Sequence, residues 1–405
     1  VCSPDIIITV MRVLVLSYEY PPIGGGGGNV AKAVAEQLAV RGHEVRVQTA
    51  ALGWGSVRET IGGVEVFRTA SLRSVPDTCT VPEMGLFLLT SLRPTLRHIC
   101  RWRPDVIHAH FAVPTGVLAW AVHRLTGVPY VITAHLGDVP GGVPEQTDAM
   151  FRRIAPLARR IWRDAAAATA VSTFVQELAE QAYGRKVTRI LNGIDLSDSP
   201  PEPIAPHTPP RLVFIGRLNP QKNPVFFIHA LAQLRDAPWQ LTFIGDGPLM
   251  EEVRAAIARN RLEDRITLTG WLEPPRVHAI MAGADILCMP SLSEGLPMVG
   301  IEALKYGLAI VATDIPGLRD VIDDGVNGFR VPLGDLEAFA RQLRRLLEHG
   351  DTLATMKRAS WEKAHRFDLG CIAHEYAHVL AEAAEEENSK FQNPSSKQIP
   401  RNGNP

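Results

Sequence analysis

Met11-Arg-Val-Leu-Val-Leu-Ser17 is a short apolar run, followed by the turn-rich Pro21-Pro-Ile-Gly-Gly-Gly-Gly-Gly-Asn29 and a helical apolar pattern from Val30 to Arg41. A strand apolar on both faces needs cover on both, and helices returning between parallel strands supply it. The alternation continues outward. It predicts strands at Val13–Ser17, Glu44–Thr49, Val106–His110, Tyr130–Ala134, Ala167–Val171 and Thr188–Leu191. Ser199 to Pro210 then holds six prolines in twelve residues, the composition of an interdomain linker. Beyond it the pattern restarts at Leu212–Gly216, Leu241–Gly245, Ile266–Thr269, Ile286–Met289, Ile310–Thr313 and Phe329–Val331. The reading is α/β, two Rossmann-like domains, with ligands expected at the carboxyl ends of the strands. Gly53 to Leu92 shows little regular pattern.

Length agrees with two domains, 405 residues at about 150 per domain. With 42 Lys plus Arg against 43 Asp plus Glu, 46% hydrophobic and 21% charged residues, the chain is neither disordered nor a bulk-charge binder of polyanions, so no nucleic-acid partner is expected. Five widely spaced cysteines suggest neither a disulfide framework nor a CxxC metal site, and a reducing cytoplasm fits best. No stretch reads as a signal peptide or a membrane span. Residues 1–10 are expected to be an extension, 11–198 and 211–370 the domains, 199–210 the linker, 371–387 a C-terminal helix and 388–405 a disordered tail.

Three stretches after predicted strands carry chemistry. The glycine run before Val30 lets backbone N–H groups approach an anion at a helix N-terminus. It is not a dinucleotide fingerprint: Gly24 lies seven residues beyond Ser17, and no acid ends the strand at Thr49. It also lacks the Gly-Lys-Ser/Thr of a Walker A loop. In Phe214-Ile-Gly-Arg-Leu-Asn-Pro-Gln-Lys-Asn223, Arg217 and Lys222 form a cation pair suited to a diphosphate, although spacing alone favours two surface cations. In Pro290-Ser-Leu-Ser-Glu-Gly-Leu-Pro-Met-Val-Gly-Ile-Glu302, Pro297 suits a first helical turn. Glu294 then precedes the helix and Glu302 lies inside it, beside free N–H groups near Met298 and Val299. Read alone, Glu294 serves as well for a helix-capping acid and Glu302 for a solvated one.

Together with Asp105-Val-Ile-His-Ala-His110, Thr133-Ala-His-Leu-Gly-Asp138, Asn192-Gly-Ile-Asp195 and Gly245-Asp-Gly-Pro248, these motifs resemble the retaining family 4 glycosyltransferases of GT-B fold, from Met11 to about Ala384. The resemblance implies two domains facing across a deep interdomain cleft, with the C-terminal helix packed back on the first. It assigns Arg217 and Lys222 to the donor's diphosphate, Glu302 to ribose hydroxyls and Glu294 to the transferred sugar. Gly25, Gly26, Gly216, Gly247, Gly295, Leu296, Met298 and Val299 complete donor binding. His135 falls near the reacting carbon and Asp138 on the acceptor side. A metal site from His108, His110 and His135 is disfavoured, no DxD-type pair follows a strand, and no cofactor is expected.

The implied activity is retaining hexosyl transfer from a nucleotide-diphosphate sugar to a glycan or lipid-linked hydroxyl. Base selection is expected near Gly270 to Pro275, with uridine as the family-level expectation. Rivals are an epimerase or phosphorylase of the same fold, a non-catalytic nucleotide-sugar-binding subunit, and an NAD oxidoreductase. Arg152, Arg159 and Arg163 share one predicted helical face beside Arg153 and Arg160, an acceptor-facing or membrane-surface patch or an ordinary solvated face.

Overall fold

The computed structural model describes residues 9–76, 79–200, 202 and 205–392, with the side chains of 144–150 and 387–392 left aside. Residues divide into two compact units: 1–171, 176–190 and 370–405 in one, 172–175 and 191–369 in the other. The proline-rich segment thus groups with the second unit. Its described part is tied there: Trp361 Nε1 donates to the Pro200 carbonyl at 2.8 Å, and the His207 backbone and ring meet buried Asp285. Of the expected terminal extension only Thr9 and Val10 are described, and both are exposed.

The first unit runs β1 (Arg12–Leu16), α1 (Gly26–Val40), β2 (Glu44–Leu52), β3 (Val57–Ile61), β4 (Val64–Arg73), α2 (Val81–Trp102), β5 (Val106–His110), α3 (Thr115–Thr126), β6 (Tyr130–Ala134), α4 (Pro144–Asp164), β7 (Ala167–Ala170), α5 (Thr173–Tyr183, from Gln176 onward) and β8 (Thr188–Arg189). Its sheet has the order β3-β4-β2-β1-β5-β6-β7-β8 and is parallel except for the β3–β4 hairpin. Val13 to Leu16, Val106 to His110 and Tyr130 to Ala134 are buried throughout, as two-sided cover requires.

The second unit runs β9 (Arg211–Ile215), α6 (Pro224–Ala232), β10 (Gln240–Ile244), α7 (Met250–Arg259), β11 (Ile266–Gly270), α8 (Pro274–Ala282), β12 (Ile286–Met289), α9 (Met298–Lys305), β13 (Ala309–Thr313), β14 (Gly328–Val331), α10 (Leu336–Glu348) and α11 (Gly350–Ala364). The order β11-β10-β9-β12-β13-β14, all parallel, reverses direction between β9 and β12. In its core Phe214 and Phe243 stack, and Phe227 meets Phe339 edge to face. Helix α12 (Leu369–Gln392) groups with the first unit from Gly370 onward, and its Tyr376 packs against His108, ring centroids 5.2 Å apart.

Four expectations change. Gly53 to Leu92 is not irregular: it holds β3, β4 and the start of α2, whose Thr80 and Glu83 form a capping box. Helix α1 begins at Gly26, inside the glycine run rather than after it. The helix expected over 371–387 continues to Gln392, because Glu385-Glu-Glu and Lys390 extend it until the residue before Pro394, where helical geometry is disfavoured. Residues 393–405 lie outside the described set. Cysteine spacing also misled: Cys79, Cys100 and Cys288 are free thiols, but Cys371 is disulfide-bonded.

Candidate functional site

In the second unit the chemistry gathers where strand order reverses, at the ends of β9 and β12. The β9 chain enters Gly216 and Arg217, then a 3-10 turn, Pro220–Lys222, capped by the Asn219 side chain accepting from Lys222 N at 3.0 Å. Gly216 has no side chain, and the alkyl stem of Lys222 lies over it, a Cβ there falling 3.4 Å from Lys222 Cε. That stem delivers the ammonium to Glu294, where Nζ donates to Oε1 at 2.5 Å. Both groups are largely buried, side chains 19% and 8% exposed. Gln221 ties the two loops again, donating to the Ser293 carbonyl and accepting from Leu292 N. Arg217 is exposed.

Two glycine contacts fix this arrangement. A Cβ on Gly245 would fall 1.9 Å from the Gly216 carbonyl oxygen, and one on Gly247 2.6 Å from that of Leu218. The β10 turn therefore braces the β9 loop, and Gly247 acts first through backbone approach. Similarly, Gly317 lies against the Glu294 carbonyl. Pro297 caps α9 rather than opening it, so the N–H groups of Met298 and Val299 begin the helix without acceptors inside it. Leu296 is buried, and its carbonyl accepts from Asn192 Nδ2 at 3.1 Å, which gives the Asn192-Gly-Ile-Asp195 motif a bracing role. Gly295 lies between Glu294 and this anchor.

Glu302 follows one turn into α9. Sequence reasoning missed its neighbour His278 on α8, whose Nε2 lies 3.9 Å from Oε1 and whose pKa is raised chiefly by that carboxylate. His278 sits within Pro274-Pro-Arg-Val-His, four residues beyond a proline-marked helix start, where no motif flags it.

In the first unit the corresponding positions follow β1, β5 and β6. Gly25 N donates to Glu19 Oε2 at 3.1 Å, and Glu19 also faces Arg73, 3.6 Å away. Gly26 is the first residue of α1. Its neighbour Gly27 abuts the ring pair after β5 and β6: a Cβ there would meet Phe111 Cζ at 2.5 Å and His135 Nδ1 at 3.4 Å. Phe111 and His135 pack with centroids 4.4 Å apart and planes tilted by 31°. Burial holds His135 at a pKa of about 4 despite Asp138, so it is neutral at pH 7. Asp138 is itself 2% exposed, and its oxygens are taken by backbone: His135 N and Leu136 N on Oδ1, Ala112 N on Oδ2 at 2.7 Å. It binds the β5 loop to the His135 loop.

Among the described residues no cluster of His, Cys, Asp and Glu fits a metal ion, and no helix is long and apolar enough to cross a membrane. Arg152 and Arg159 line a cavity of about 510 Å³ with Phe151, Leu178 and Tyr183, between α4 and α5, while Arg163 pairs with Asp164.

Residues 24–198 match the family profile described as Glycosyltransferase Family 4, and residues 209–349 the one described as Glycosyl transferases group 1. The chain is 27% identical over 372 residues to the glycogen synthase of Mycobacterium tuberculosis, covering 86% of this chain and 88% of that one. It is 26% identical over 388 residues to the phosphatidyl-myo-inositol mannosyltransferase of Mycobacterium leprae, covering 92% and 97%. Among solved structures, sucrose-phosphate synthase from Thermosynechococcus elongatus superposes with a TM-score of 0.78 at 19% identity, covering 91% and 98%. Anabaena HepE, in complex with UDP and glucose, gives 0.71 at 22%, covering 92% and 99%.

Proposed function

Because the chain belongs to the family 4 glycosyltransferases (glycosyl transferases group 1) and has their GT-B fold, we propose that it transfers a sugar, with retention, from a nucleotide-diphosphate donor to an acceptor hydroxyl, without a metal. The observation that carries this reading is the Lys222–Glu294 pair at the reversal of strand order, beside the start of α9.

Arg217, Lys222 and the first N–H groups of α9 receive the diphosphate and stabilise the charge it gains on leaving. A diphosphate competes with Glu294 for Lys222, and the carboxylate so released accepts from the sugar's hydroxyls. Glu302 holds the ribose hydroxyls. Gly216, Gly247, Gly295 and Leu296 keep these groups in register. Gly25 and Gly26 present backbone to the phosphates, His135 serves the sugar, and Asp138 sets the loop that carries His135.

The bond from the anomeric carbon to the diphosphate breaks, the acceptor oxygen bonds to the same face, and its proton passes to a phosphate oxygen. UDP is the first nucleotide to try, since HepE was solved with it. The acceptor is a glycan or lipid-linked hydroxyl, the relatives being a glycogen synthase and a phosphatidyl-inositol mannosyltransferase. A cytoplasmic location, with peripheral membrane contact through the α4 arginines, suits a lipid-linked acceptor.

A thermal-shift panel of nucleoside diphosphates and their sugars tests the site, because a ligand of the folded state raises the melting temperature by mass action. At least one nucleotide is expected to stabilise the wild type and to lose its shift in Lys222→Ala and Glu302→Ala. Equal shifts in all three proteins contradict the site.

A further inference from the structure

We propose that His110 is a positioning residue that fixes His135 with its proton on Nδ1, so that His135 offers a hydrogen-bond donor, not a base, at the glycine turn. The inference rests on His135 serving the transfer reaction, but the tautomer itself is read without substrate.

His110 Nδ1 lies 3.2 Å from His135 Nε2, within hydrogen-bond reach. Both rings are held neutral by burial: His110 well below its ordinary pKa, His135 at about 4. Two neutral imidazoles share one proton in such a contact, and the direction decides both tautomers.

If His135 donates, His110 carries its own proton on Nε2. That atom is buried and has no hydrogen-bond partner among the described residues. A buried N–H donor would then have no acceptor among the described residues, among the rarest and costliest defects of a folded interior. If His110 donates from Nδ1, its Nε2 is a bare nitrogen, and His135, accepting on Nε2, keeps its proton on Nδ1.

The neighbouring histidine shows the same choice with independent constraints. Thr169 Oγ1 donates its one proton to the Ile132 carbonyl, so the 2.7 Å contact between Thr133 and Thr169 is donated by Thr133. Thr133 Oγ1 is then an acceptor for His108 Nε2, 2.7 Å away. His108 therefore carries its proton on Nε2 and leaves Nδ1 bare, and that Nδ1 is again the buried atom without a partner.

One influence opposes the assignment. His135 Nδ1 lies near Gly27 at the start of α1, where the helix dipole favours a lone pair over an N–H. That is a fractional charge acting near Nδ1, against the loss of a whole hydrogen bond inside the protein. The consequence for chemistry is direct: neither ring nitrogen of His135 is free to accept a substrate proton, since Nδ1 holds one and Nε2 accepts from His110.

The test is histidine nitrogen NMR on the full chain at pH 7, without added ligand. Wild type is expected to show pyrrole-like Nδ1 and pyridine-like Nε2 at His135, with pyrrole-like Nδ1 at His110. His110→Asn, whose amide can donate from about the place of Nδ1, is expected to preserve the His135 pattern, and His110→Phe to abolish it. A pyridine-like Nδ1 at His135 in wild type overturns the proposal, as does an unchanged pattern in His110→Phe. Should the phenylalanine variant not fold, the wild-type shifts at His110 and His135 decide the tautomer by themselves. Transfer activity enters none of these readouts, so a different reaction at the site leaves the result intact.

Discussion

Gly245 and Gly25 are both glycines after strands, and the structure gives them opposite tasks. At Gly245 φ is +138° and an added Cβ meets the Gly216 carbonyl at 1.9 Å, so Gly245→Ala displaces the loop that carries Lys222. A stability loss of about 3 kcal/mol or more is expected, the range of strained or overpacked sites. At Gly25 φ is −113° and no atom lies within 4 Å of the added Cβ. Gly25→Ala should therefore change stability by less than about 0.5 kcal/mol and register instead in nucleotide affinity. Denaturant unfolding beside ligand titration checks the pair; a Gly25 variant as damaged as the Gly245 variant would show that the glycine turn serves folding.

Among the elements, the ones readable in the sequence were those whose burial is set by the sheet itself. β5, β6 and β12 fall at the predicted residues because a strand buried on both faces leaves a run without acidic residues, Lys or Arg. The β3–β4 hairpin was not read, although Ile61-Gly-Gly-Val64 is a two-residue hairpin signal and both glycines have positive φ, +54° and +80°. β3 lies at the sheet edge and is largely exposed, so no apolar run marked it. At the candidate site, the sequence located Lys222 and Glu294, but their ion pair depends on loops after β9 and β12 being adjacent, which only strand order determines. The His278–Glu302 and His110–His135 contacts were hidden for the same reason. The three backbone bonds by which Asp138 holds the His135 loop were likewise not legible, because the motif gives the residue but not its partners.

At the scale of the whole molecule, buried neutral histidines govern the response to acid. His98, His108 and His135 sit at about 4, 3 and 4, with His110 well below its usual value, all lowered first by burial and all in the first unit. Unfolded histidines take up protons near pH 6.5, while these do not until the folded values are reached. Stability is therefore full above about pH 6.5 and falls as pH drops toward 4. His278 has the opposite sign, because Glu302 raises its pKa: its contribution is present below about 6.5 and lost as pH rises through the raised value. It is a single, partly exposed group and cannot offset four. The melting temperature should fall between pH 7 and pH 4.5 at constant ionic strength, and a flat profile would contradict the assignment of these rings as neutral.

Retaining transfer without a metal is the reaction proposed for Lys222, Arg217 and the α9 amides. Its most direct test is the anomeric configuration of the product, followed by NMR from the first turnovers in excess EDTA, using the nucleotide sugar that stabilises the protein and a range of hydroxyl acceptors. Undiminished transfer is expected, its first product keeping the donor's configuration, with none from Lys222→Ala. An inverted product, or activity abolished by EDTA and restored by magnesium, would contradict it.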